Sequence, residues 1–274
     1  MNHSRYFLTW FACVFLLIAT HAALADFGAG VKAYLQNDFA TAIKEFTAEA
    51  RKGNADAQFL LGNMYRKGQG VPQDYAEALK WYRKLANQGH AAAQNNLGVM
   101  YKIGQGVPQN YAEALKWYRK SADQGDANAQ LSLGQMHAHG QGVPQDYAEA
   151  AKWYRKSAEQ GDIKAQHNLG VLYENGQGLP RDYVEAVKWY HRSADQGHVS
   201  AQLNLGVMYA KGHGVPRDYV KAYMWFHMAS SVMNQEVRAT AVRNRDIVSS
   251  SMTPHQIAEA QRLAREWRPK KSTR

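Results

Sequence analysis

The chain has a single cysteine, Cys13, and it falls within the first 25 residues. If that segment is removed, no disulfide can form and packing alone must hold the protein together. Long apolar runs are also missing. The uncharged stretch from Tyr6 to Ile18 matches the core of a signal peptide and is too short to span a bilayer. Met1 to Arg5 precedes it with one positive charge, and Ala23-Leu24-Ala25 reads as a small-x-small cleavage site. Cleavage between Ala25 and Asp26 is expected, giving a periplasmic or secreted protein. An uncleaved anchor is the alternative. Cys13 lies mid-way in the apolar core rather than at the cleavage point, which argues against a lipoprotein.

Signatures of chemistry are absent as well. There is no nucleophile elbow and no phosphate loop. His137 and His139 are two residues apart, not at the i,i+4 spacing of a helical zinc pair. Ser121, Ser157 and Ser193 are not followed by lysine three residues on, as a serine-x-x-lysine site requires. No catalytic residue, cofactor or metal is expected.

Acidic residues are outnumbered. The formal charge is +10, and the excess is uneven. From Glu236 onward nine bases, among them Arg238, Arg243, Arg245, Arg262, Arg265 and Arg268, face four acids. A basic end of this kind suits a solvated terminus or contact with an anionic partner or lipid. No aromatic-interleaved basic groove accompanies it, so nucleic acid is not an expected partner.

What is present is a repeat. Gln58, Gln94, Gln130, Gln166 and Gln202 recur every 36 residues, as do Trp81, Trp117, Trp153, Trp189 and Trp225, and Pro72, Pro108, Pro144, Pro180 and Pro216. A strict period of this size predicts a solenoid whose units bury their apolar faces against their neighbours. Within one unit, Ala57, Leu61, Met64 and Tyr65 are at helical spacing, and so are Tyr75, Ala78, Leu79, Tyr82 and Ala86. Gly68-Gln69-Gly70 and Val71-Pro72 separate the two helices. Gly62 recurs in all five copies, which predicts an approach too close for a β-carbon. Asp74 with Glu77 predicts a capping box, repeated at Asn110/Glu113, Asp146/Glu149 and Asp182/Glu185 and broken at Asp218/Lys221. Phe39, Ala42, Phe46 and Gly53 start the array as a shorter unit with a compressed turn. Two closing helices are predicted near 235–249 and 254–268, the second capped by Thr253-Pro254-His255-Gln256.

The pattern A-x-A-Q-x-x-L-G-x-M-Y-x-x-G-x-G-V-P-Q-D-Y-x-E-A-x-K-W-Y, here from Ala91 through Tyr118, resembles the Sel-one-like repeat family, a relative of the tetratricopeptide repeats. The resemblance covers about Ala55 to Met228, with a weaker half unit before it. It implies an all-α fold, a right-handed α/α superhelical solenoid used as a scaffold for protein–protein contacts. Some relatives carry a disulfide in each repeat, from which this chain departs. A β-lactam-directed activity has been attached to others by resemblance. The expected segments are 1–25 as signal peptide, 26–53 as half unit, 54–233 as five repeats and 234–274 as closing helices and basic tail.

Columns that vary between copies are where a partner is expected. These are Phe59, Asn95, Leu131, His167 and Leu203; Asn63, Val99, Gln135, Val171 and Val207; and Arg66, Lys102, Ala138, Glu174 and Ala210. Helical spacing places the three columns on one face, which the resemblance makes the concave groove. The alternative is that they are tolerant surface positions. The tryptophan column is expected in the core rather than as a ladder of binding aromatics, and the Lys80, Lys116, Lys152, Lys188 column as a solvated stripe. The expectation is an exported monomeric scaffold for proteins or peptides, with membrane contact left to the basic tail. The alternative is a cell-envelope enzyme or glycan-binding module acting on peptidoglycan or β-lactams.

Overall fold

Short polar side chains decide where each helix starts. Asn54 accepts the Ala57 N–H at 3.0 Å, and Asp74 accepts the N–H groups of Ala76 and Glu77 at 2.9 and 3.0 Å. Each thereby satisfies donors that the first turn leaves orphaned. Glycines end the first helix of a repeat: Gly68 and Gly104 have φ of 69° and 75°, and their N–H groups reach Met64 and Met100. A computed structural model describes residues 27–231 and 235–269. The expected signal segment and cleavage site, Cys13 and the terminal bases Lys270, Lys271 and Arg274 lie outside the described residues.

The described residues are helical without strands. In chain order the helices are α1 (27–35), α2 (Phe39–Lys52), α3 (Ala55–Lys67), α4 (Tyr75–Asn87), α5 (Ala91–Ile103), α6 (Tyr111–Asp123), α7 (Ala127–His139), α8 (Tyr147–Glu159), α9 (Ile163–Asn175), α10 (Tyr183–Asp195), α11 (Val199–Lys211), α12 (Tyr219–Ala229), α13 (Gln235–Ser249) and α14 (Pro254–Glu266). They form two compact units, divided between Ser121 and Ala122 in the last turn of α6.

In unit 1, α2 packs on α3, α3 on α4 and α4 on α5. The first unit of the array is a full helix pair, because α1 supplies Ala33 to the cluster of Phe46, Leu61 and Met64. Its compressed turn contains Asn37, the one described non-glycine residue with positive φ (60°). The next cluster joins Tyr82, Leu85, Leu97 and Met100, and Trp117 enters it from the following repeat. A tryptophan from one repeat thus wedges into the core of the repeat before it, which is the stacking contact of a solenoid.

The constant glycine has its cause here. A β-carbon on Gly62 would stand 2.9 Å from the Tyr82 ring, and one on Gly98 2.7 Å from that of Tyr118. The close approach is to an aromatic ring, not to a second backbone. The turn glycine Gly106 is equally constrained: its β-carbon would meet the Tyr75 carbonyl oxygen at 2.7 Å, so each turn seats on the previous second helix.

Unit 2 repeats the plan. Helices α7 to α12 pack in sequence, and α13 and α14 both close on α12. Tyr154, Leu169 and Trp189 share one cluster, and Tyr190, Leu205, Trp225 and Phe226 another. The second of these is covered by Ile257, Leu263 and Trp267 of the closing segment. Thr253 and Gln256 form a reciprocal capping box on α14, as the sequence predicts.

The capping boxes expected within the repeats form only by half. Asp74, Asn110, Asp146 and Asp182 do accept the backbone N–H, but Glu77, Glu113, Glu149 and Glu185 turn toward Lys80, Lys116, Lys152 and Lys188 at 2.6–3.3 Å. A lysine three residues on offers an opposite charge on the same face, where the cap offers one N–H. Asp218 keeps its cap on Lys221 N–H at 3.0 Å, so the last copy is less broken than expected.

Candidate functional site

The constant polar column is structural. Gln58 and Gln94 are buried and donate to the carbonyls of Ala50 and Ala86 at 2.9 and 3.0 Å in unit 1. Gln166 donates to Ala158 O at 3.1 Å in unit 2. Each fills the open carbonyl end of the preceding second helix, a group that water cannot reach. The serines are spent in the same way. Ser121, Ser157 and Ser193 are fully buried and donate to the carbonyls of Ala91, Ala127 and Ile163 at 2.8, 2.8 and 2.7 Å. Trp117, Trp153, Trp189 and Trp225 are core residues, with Lys120, Lys156 and Arg192 lying over the first three at 4.3–4.6 Å. Among the described residues no group of three or more His, Cys, Asp or Glu is placed to hold a metal, and no helix is long and apolar enough to cross a membrane.

The varying columns lie on the first helices of the repeats and are half-buried, except Ala138, which is buried. They are not free of packing duty. Phe59 lies against the cluster of Tyr82 and stacks on His90 with ring centroids 5.2 Å apart. Leu131 packs on the Tyr154 cluster, and Val171, Leu203 and Val207 on that of Tyr190. A helix wide enough to touch both its own pair and the next repeat has no purely exposed stripe on this side. The polar members behave differently. Asn95 Oδ1 and Arg66 Nε are buried without a hydrogen-bond partner. Burial pushes the Lys102 ammonium below its usual range.

The tyrosines behind the glycines open onto this face. Tyr82 donates to Asn63 Oδ1 at 2.7 Å, and its hydroxyl also meets Arg66 and Asn96. In unit 2 Tyr190 donates to Glu174 Oε2 at 2.6 Å, and Tyr154 bonds Asn168. Sequence reasoning missed the column that reads Leu60, Asn96, Ser132, Asn168 and Asn204. Its signal was the recurrence of asparagine next to the chosen columns. Between α7 and α9 the face opens into a cleft of about 330 Å³ bordered by Gln135, Ala138, Gln145, Tyr154, Asn168 and Val171. Gln135, Ala138 and Val171 belong to the columns named from the sequence.

His167 of α9 and His198 at the start of α11 meet with ring centroids 4.8 Å apart. His167 lies near Asn168 and Asn204 at 3.3 and 3.4 Å. Burial holds His198 down at about 4, with the charge of His167 adding to the effect.

The family model of the Sel1 repeat matches residues 55–90, 91–126, 127–162, 163–198 and 199–231. The chain belongs to the Sel1 repeat family. These repeats are one α/α solenoid architecture, generally a scaffold for protein interactions and typically not catalytic. A crystal structure of a Sel1 repeat protein from Oxalobacter formigenes is similar at 34% identity and a TM-score of 0.71, covering 81% of this chain and 98% of that one. A protective antigen of uropathogenic Escherichia coli strains with an SLR fold is 28% identical with a TM-score of 0.45, covering 89% and 76%. A comparison with curated proteins finds none that matches.

Proposed function

We propose that this Sel1 repeat protein is exported and holds protein or peptide partners on the face built by the first helices of its repeats. The observation that carries this reading is the cleft between α7 and α9. Its border alternates amides, Gln135, Gln145 and Asn168, with the aliphatic Ala138 and Val171. Amides can match a peptide backbone and aliphatic side chains can seat its apolar residues, which is what an extended segment or a partner helix requires. The constant columns offer no such surface, being committed to caps, carbonyls and core.

A photo-crosslinking amino acid at position 135 tests this in the native cell. Discrete adducts from position 135, with none from the exposed second-helix position 152, are expected. Identical adduct patterns at the two positions would remove the assignment to this face. Export has its own test: the N-terminus of the protein recovered from the envelope should begin at Asp26, and a start at Met1 would refute it. The alternative of an envelope enzyme acting on peptidoglycan or β-lactams draws no support from the repeat serines. Their hydroxyls are fully buried and bonded to carbonyls.

A further inference from the structure

Unit 1 carries two desolvated cations on its first-helix face with no acid to balance them. Arg66 lies in the last turn of α3, and Lys102 occupies the same place in α5 one repeat later. Both are half-buried. Among the described residues neither has a carboxylate within ion-pair distance. The one carboxylate on either helix is Asp56, at the opposite end of α3. Arg66 Nε is buried without a partner. Arg66 also touches the Tyr82 hydroxyl, which itself bridges Asn63 of α3 and Asn96 of α5.

The exposed lysines of one second-helix column are charge-balanced. Lys80, Lys116, Lys152 and Lys188 each face a glutamate on the same helix, although those lysines are well exposed and need it less. A cation drawn partly out of water and left unpaired costs stability, so its retention here points to a counter-charge that arrives from outside.

We propose that the α3–α5 face binds an acidic stretch of an extended polypeptide, with Arg66 and Lys102 each receiving one side-chain carboxylate. The Asn63 and Asn96 amides, which meet at the Tyr82 hydroxyl beside Arg66, are suited to its backbone. Two single cations one repeat apart match spaced carboxylates along a peptide. A nucleic-acid backbone would instead need a continuous basic groove. This inference rests on the scaffold reading above and names the chemistry of one partner segment.

Fluorescence anisotropy with a decapeptide alternating glutamate and serine, blocked at both ends, tests it on the purified chain. The acidic peptide should bind, with affinity falling as salt is raised. Arg66→Gln with Lys102→Gln should weaken binding by about tenfold or more. Lys80→Gln with Lys116→Gln should leave it within about twofold, because those exposed charges are screened. The glutamine analogue of the peptide should not bind, whether its C-terminus is blocked or free. The proposal falls if the acidic peptide does not bind, if the glutamine analogue binds equally, if a free C-terminal carboxylate suffices, or if the control pair weakens binding as much. Thermal melts check folding: neither Arg66→Gln nor Lys102→Gln should lower the midpoint. Adducts from position 135 with no acidic-peptide binding would leave the scaffold reading standing and sink this inference alone.

Discussion

The two units share their constant columns and differ on the face that varies. In unit 1 the last-turn column holds Arg66 and Lys102; in unit 2 it holds Ala138, Glu174 and Ala210. The Tyr82 hydroxyl therefore meets a cation and an amide, where that of Tyr190 donates to a carboxylate. An aromatic pair, Phe59 on His90, recurs in unit 2 as His167 beside His198. The difference teaches a division of labour. Glycine, glutamine, tryptophan and tyrosine at fixed places make the stack, and the last-turn column resets the charge of its face.

The largest effect should come from breaking what the units share. Gly98→Leu in unit 1 places a side chain where the Tyr118 ring lies 2.7 Å from a β-carbon, and Gly134→Leu does the same against Tyr154. Each should lose about 3 kcal/mol or more, read by chemical denaturation. A loss confined to one unit would mean the two stacks are not equivalent. Leu131→Glu is a poorer probe of the face than the sequence suggests, since Leu131 packs on the Tyr154 cluster; Gln135 is the better position.

Gln94→Leu and Gln166→Leu come next. Each removes the donor to a buried helix-end carbonyl, Ala86 O or Ala158 O, and should cost about 1–3 kcal/mol. A neutral result in both would show that those carbonyls find another donor.

Much of this was legible in the sequence because the period does the aligning. The helix pairs, the turn glycines, the wedge tryptophans and the Thr253 cap follow from residue type and spacing. The partner of Gly62 did not, because a helical pattern shows that space is needed but not that a tyrosine ring fills it. Nor did the orientation of Glu77, where cap and lysine compete within one turn. The columns of the face could be named, but their half-burial could not. Whether Leu131 leans on its own repeat or the next depends on packing geometry that five aligned copies do not contain.

A third test separates the units by pH. His198 is held at about 4 by burial and by His167, so the fold favours the neutral ring. The unfolded chain takes up a proton below about 6.5, while the folded one resists until about 4. Unfolding thus binds protons in that window, and stability falls as pH drops from 6.5 toward 4. His227, also lowered by burial and by Arg245 and Arg265, adds to the same slope. His198→Asn should flatten part of it in thermal melts, and a slope left unchanged would refute this contribution of the unit 2 face.

The smallest effect should be the most uniform. Lys80 and Lys152 pair with Glu77 and Glu149 at 3.1 and 3.0 Å, with lysine side chains about equally exposed, 69% and 70%. An exposed i,i+3 pair gains little because water screens it and two long side chains must be ordered. Lys80→Ala and Lys152→Ala should each change stability by less than about 0.5 kcal/mol, with alanine's helix propensity offsetting part of the lost pair. The matching magnitude matters more than its size. If the second helices respond alike while the first-helix faces respond differently to charge and pH, the contrast between the units belongs to the varying columns. A larger loss at Lys152, whose glutamate also accepts the Trp153 Nε1–H at 2.9 Å, would instead extend that contrast to the second helices.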